Sequence, residues 1–120
     1  MIQSYRDLIV WQKAIDLVIE IYGVTKNFPE TERYGLTSQM RRAAVSIPAN
    51  IAEGFARKHR QEYTQFIRVA FASGAELETH LVIAKRLGYI PQSSYDHIES
   101  HLTEVMKMLN KFIVTLQTKS

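Results

Sequence analysis

The chain has no cysteine. That excludes disulfide staples, thiol nucleophiles and thiolate zinc sites. It has no Gly/Ser-rich linker and no low-complexity segment, so its 120 residues are expected to form a single domain, 1–120. No apolar run approaches the ~18 residues of a membrane span. The opening MIQSYRDLIVWQKAIDL lacks the basic start, apolar stretch and small-residue cleavage site of a secretory leader. A soluble, cytoplasmic protein with no membrane contact is expected. Charge of one sign is also scarce: fifteen Lys/Arg against twelve Asp/Glu give +3, only a weak bias toward polyanionic partners.

No stretch alternates as a strand does. Helical periodicity instead runs through four segments, at about 5–27, 36–55, 60–87 and 94–117. In the first, Leu8, Trp11, Ile15, Val18 and Tyr22 follow the spacing of a bundle seam. Its apolar arc continues through Val10, Leu17, Ile21 and Val24 and spans roughly 220°. One bundle core needs less than that, so this second flank is expected to meet another subunit. The third segment repeats Tyr63, Ile67, Ala70, Gly74, Leu77, Leu81 and Ala84 and stops at Gly88, a residue free to adopt a left-handed cap. The fourth, with Ser93 or Ser94 as N-cap, carries Ile98, Leu102, Val105, Leu109, Phe112 and Leu116. These patterns predict an all-α, antiparallel up-and-down four-helix bundle.

The second segment holds the stretch RRAAVSIPANIAEGFARKHR. Leu36, Met40, Ala44, Ile47, Ile51 and Phe55 stay in phase across Pro48, so the proline is expected to kink one helix rather than end it. Val45, Ala49, Ala52 and Ala56 form a small-residue strip suited to close helix contact. Ser46, Asn50 and Glu53 form a polar stripe beside the proline. Short, helix-disfavouring Ser46 and Asn50 suit a place where freed backbone groups need partners. The stripe is expected to stitch this helix to a neighbour, with Glu76 of the third helix reaching Arg42 or Asn50; a binding role for Asn50 or Glu53 is the alternative.

FPETERYGLTSQMRRAAVSIPANIAEG followed by EYTQFIRVAFASGAELETHLVIAKRLGYI closely resembles small bacterial four-helix-bundle proteins of the 23S rRNA intervening-sequence (S23) family. The likeness runs from YRDLIVWQKA to Ile90. More distantly the chain is similar to the accessory variability determinant of diversity-generating retroelements, a pentameric bundle that binds RNA and a reverse transcriptase. The resemblance implies a closed homo-oligomer, a pentamer, and supplies no biochemical activity. Family members often place Ser or Thr three positions before the Glu of an E-[FY] pair as a helix cap. Here Glu62-Tyr63 follows His59, within the basic run Arg57-Lys58-His59-Arg60.

Enzyme chemistry finds no foothold. There is no G-x-S-x-G, no Walker A loop and no dinucleotide fingerprint. None of the four histidines follows an acid by three positions, which excludes the di-iron pattern of ferritin-like bundles. His97 and His101 share one helix face with Glu104 close by, a set too small to imply a metal or any other cofactor. A non-enzyme is expected. Arg41, Arg42, Arg57, Lys58, Arg60 and Arg68 are the candidate contacts to RNA or DNA, through phosphate rather than base edges. A protein-interaction scaffold with an unidentified protein partner is the competing reading.

Overall fold

The computed structural model describes residues 2–118, whose regular elements are all helices. A 3-10 turn, Tyr5–Asp7, leads into α1 (Ile9–Thr25), and a second, Glu30–Glu32, leads into α2 (Leu36–Phe55). Two long helices follow, α3 (Arg60–Arg86) and α4 (Gln92–Thr118). Both α1 and α3 pack against α2 and α4, while among the described residues the backbones of the diagonal pairs stay further apart. The result is an antiparallel four-helix bundle of 48 × 24 × 21 Å.

Local chemistry sets the helix ends. Ser4 and Asp7 form a reciprocal capping box around the first turn, and Leu8 then takes an extended conformation, so α1 begins at Ile9 rather than near Tyr5. Gly88 adopts φ +78, and Tyr89 N–H reaches back to the Ala84 carbonyl at 2.9 Å, the closure that only a left-handed residue allows. Helix α4 starts directly after Pro91, whose carbonyl accepts from Tyr95 N–H at 3.0 Å. Ser93 and Ser94 therefore lie inside the helix and do not cap it.

Helix α1 is rotated from its expected orientation. Its core face is Val10, Ala14, Leu17, Ile21 and Thr25. Val10, Leu17 and Ile21 are 5%, 0% and 0% exposed within one chain, so these three belong to the core and not to a subunit interface, and Val24 is half-buried against the same core. Leu8, Trp11 and Val18 flank the core, and Tyr22 is exposed. The two apolar stripes lie about 100° apart on the helix and have the same spacing. Small Ala14 and hydroxyl-bearing Thr25 mark the side that the other helices approach. Each fully buried Leu or Ile contributes roughly 1.5–3 kcal/mol.

Helix α2 continues through Pro48, which is buried with Met40, Ala44, Ile47 and Ile51. Its small-residue strip faces away from the bundle: Val45, Ala49 and Ala56 are exposed. Close approach occurs elsewhere, at Gly54. A Cβ there would lie 2.9 Å from both Phe66 Cβ and Tyr63 Cδ1. The polar stripe holds only in part. Asn50 Nδ2 donates to the Ser46 carbonyl at 2.7 Å and to Ser46 Oγ at 2.9 Å, and Ser73 Oγ donates across to Ser46 Oγ at 2.8 Å. Glu53 is exposed, and at the next residue, Gly54, α2 meets Tyr63 and Phe66 of α3 instead. Glu76 is exposed too, 3.9 Å from His80 on its own helix, and Ser73 makes the α2–α3 contact expected of it.

Candidate nucleic-acid interface

The end of α1 and the start of α2 build a basic, aromatic groove. Thr25 Oγ1 donates to the Ile21 carbonyl at 2.7 Å and accepts from Arg41 Nε at 2.9 Å. The Arg41 guanidinium also reaches the Tyr22 carbonyl at 3.5 Å and lies 4.5 Å from the centre of the Tyr22 ring. A cation is thus laid over the last turn of α1, where backbone carbonyls lack helical donors and the helix dipole is negative. The stem of Arg41 is spent on the fold, yet its charge still faces the groove.

The loop that carries Arg33 and Tyr34 is anchored through Glu32. One carboxylate oxygen accepts Leu36 N–H at 3.1 Å and caps α2; the other accepts the Tyr89 hydroxyl at 3.0 Å. Gly35 leaves room for this arrangement, since a Cβ there would meet Glu32 Oε1 at 2.9 Å. The hydrogen bond to Glu32 holds the Tyr89 proton above the usual tyrosine range. Glu32 thereby turns inward, and Arg33 and Tyr34 turn outward. Tyr34 is 87% exposed, and the Arg33 guanidinium lies 5.5 Å from the centre of its ring.

Tyr22, Arg33, Tyr34, Ser38, Arg41 and Arg42 therefore surround a groove of about 600 Å³ whose lining includes no carboxylate. Glu30 pairs with Arg33 from outside it at 3.5 Å. Cations for phosphates stand beside aromatic faces for bases, the two elements of a single-strand binding groove.

The other basic residues lie at the opposite end. Arg42 lies in the first half of α2, about 20 Å along the helix from its last residue, Phe55, and Arg57 follows two residues beyond that end. Arg57, Lys58 and Arg60 are exposed at the α2–α3 corner, where His59 holds the N-cap position of α3 without a side-chain hydrogen bond. The Arg57 guanidinium covers the Phe66 ring at 4.6 Å. Arg60 and Arg68 flank a second groove, of about 560 Å³, which Gln61, Gln65 and Gln117 also line. The six basic residues thus lie at the two ends of the bundle rather than in one patch.

Sequence reasoning missed Tyr22, Arg33 and Tyr34. Tyr22 read as core seam, and the Arg33-Tyr34 pair in a loop bounded by Pro29 and Gly35 was the available signal. It also paired the wrong acid with the histidines. Glu104 meets Lys13 at 3.3 Å, and Glu20 of α1 stands beside His97 and His101 instead.

The chain is thus an antiparallel four-helix bundle with a proline inside its second helix. The family model of the 23S rRNA-intervening sequence protein matches residues 6–111, and the chain belongs to that family. A solved structure from Bacteroides thetaiotaomicron VPI-5482, described as a protein with unknown function from the S23 ribosomal protein family, is similar at 26% identity and a TM-score of 0.82. The match covers 88% of this chain and 98% of that one. No curated protein matches. No helix among the described residues is long and apolar enough to cross a membrane.

Proposed function

We propose that the protein is a non-enzymatic binder of single-stranded nucleic acid, RNA before DNA, and acts in the cytoplasm as a homo-oligomer. The observation that carries this reading is the groove of Tyr22, Arg33, Tyr34, Arg41 and Arg42, cationic, aromatic and free of carboxylates in its lining. Arginine guanidinium groups take phosphate oxygens in bidentate fashion, and an exposed tyrosine ring stacks on any base. Affinity then comes from the backbone and sequence preference is weak. The family is named for an rRNA insertion, which agrees with RNA as the ligand.

Oligomerisation would multiply this grip. Ile19 is 66% exposed on α1, and Val45, Ala49 and Ala56 form an outward strip on α2 with small side chains and no cover from the chain itself. A second copy seated on Ala49 and Ala56 would border the groove, which Val45 itself lines, and so carry one subunit's groove toward that of the next. Two weak sites on one strand bind far more tightly than either alone. A pentamer, as the family resemblance implies, is the assembly proposed. The same outward strip supports the second reading, a scaffold that engages another protein.

Fluorescence anisotropy with labelled oligo-U RNA and the matching DNA separates these readings. Replacing both Arg42 and Tyr34 with Ala is expected to weaken binding by about tenfold or more, with stacking alone worth ~1–3 kcal/mol per base. An unchanged affinity in that variant, or no RNA binding by the native protein, contradicts the proposal.

A further inference from the structure

A cluster on the face opposite the arginine groove has no part in the binding reading. Glu20 on α1 stands between His97 and His101, one turn apart on α4. Its Oε2 lies 2.7 Å from His97 Nε2 and its Oε1 lies 2.7 Å from His101 Nδ1. The two rings are 4.4 Å apart, and the three ligand atoms lie within 4.8 Å of one another. We propose that Glu20, His97 and His101 bind a divalent transition-metal ion, zinc in first place.

The donor set selects the class of ion. Two imidazole nitrogens and one carboxylate oxygen suit zinc and its first-row neighbours, whereas magnesium and calcium prefer oxygen throughout. Zinc–ligand bonds of about 2.0–2.2 Å hold tetrahedral donors about 3.3 Å apart. Glu20 and the histidines already approach more closely than that, so small side-chain rotations open the set around an ion. The helices fix the rest: residues four apart on α4 share a face, and α1 packs directly against it. Lys13, on the same helix as Glu20, is engaged by Glu104 at 3.3 Å, so its charge is offset outside the cluster.

Three protein ligands leave a fourth position. Glu20 and His97 also line an open cleft of about 730 Å³ between the end of α1 and the α3–α4 turn, with Asn27, Tyr89, Ser93 and Ser94 around it. Water or a small anion can enter there and complete the coordination. His97 is well exposed, with 63% of its side chain accessible, so the ion has a path in.

The test is calorimetric titration of tag-free, chelator-stripped protein with zinc chloride, alongside cobalt(II) absorption. The native protein is expected to take one ion per chain and to show visible cobalt bands. His97→Gln and His101→Gln, each on a solvent-accessible side chain, are expected to lose about tenfold or more in zinc affinity and to lose the cobalt bands. Circular dichroism in chelator establishes that each variant is folded, and Glu20→Gln is added where it folds. No zinc binding at about 100 μM, or variants that titrate like the native protein, would reduce the cluster to an ion pair and overturn the proposal.

Discussion

Ser73 Oγ on α3 lies 2.8 Å from Ser46 Oγ on α2, two residues before the buried Pro48. Asn50 closes the same knot from the next turn, through the Ser46 carbonyl and hydroxyl. Where the proline removes a backbone donor, α2 is thus tied to its neighbour by polar side chains. Asn50→Ala and Ser73→Ala are each expected to cost about 1 kcal/mol in urea unfolding, since each leaves a half-buried group short of a partner. The Ser46–Ser73 double-mutant cycle is expected to show coupling of about 0.5 kcal/mol or more. Additive effects would mean that the contact adds nothing beyond its parts.

Gly54 tests how closely α2 and α3 must approach. Alanine improves helix propensity by up to ~1 kcal/mol. Its Cβ would also sit 2.9 Å from Phe66 Cβ, an atom fixed to the backbone that cannot rotate away. Overpacking of this kind costs typically ~1–3 kcal/mol, so Gly54→Ala is expected to destabilise on balance. A raised urea midpoint would show that the helices can separate at little cost.

Arg41 and Arg42 are neighbours in sequence with different tasks. Arg41 covers the end of α1 through Thr25, the Tyr22 carbonyl and the Tyr22 ring. Arg41→Ala is therefore expected to cost about 1 kcal/mol of stability, from the lost hydrogen bond and helix-end charge. Arg42 is exposed, and Arg42→Ala is expected to leave stability within about 0.5 kcal/mol while weakening RNA binding. Thermal unfolding and anisotropy on both variants separate the two roles; equal losses of stability would contradict the assignment.

Glu99 gives the protein a pH dependence of defined sign. Its Oε2 is buried without a hydrogen-bond partner. Burial, and then Glu78 beside it, push the carboxyl up to about 7. The folded chain therefore holds a proton that the unfolded chain has released above the ordinary carboxylate range, whose reference value here is 4.5. This contribution to stability is complete below that value and is lost as pH rises through about 7. Glu99→Gln is expected to flatten the fall in Tm between those limits and to raise Tm at pH above 8. An unchanged profile would mean that Glu99 ionises freely in the native state.

Much of the fold was legible because α2, α3 and α4 each carry one continuous apolar stripe, and Gly88 marked the end of α3 through the left-handed cap that it adopts. Helix α1 was harder to read. Its two stripes satisfy the same period, and only the packing of Ala14 and Thr25 against α2 and α4 chooses between them. The polar stripe was readable at Ser46 and Asn50, whose side chains are too short to reach solvent freely. It failed at Glu53, whose surroundings depend on what α3 presents across the gap. The site was least legible. Arg41 and Arg42 were found from charge, but Arg33 and Tyr34 gain meaning only when Glu32 folds their loop beside α1. Glu20 is 77 positions from His97 in the chain, and no periodicity within one helix reports such a meeting.

The most direct test of the central claim is the affinity for labelled single-stranded RNA measured across a range of salt concentrations. Three arginines releasing counterions from a single strand predict a slope of about −2 in log K against log salt, at about −0.7 per phosphate. Arg42→Ala is expected to make that slope shallower by close to one contact. A flat salt dependence, or a slope that Arg42→Ala leaves untouched, would contradict a phosphate-gripping groove at the α1–α2 end of the bundle.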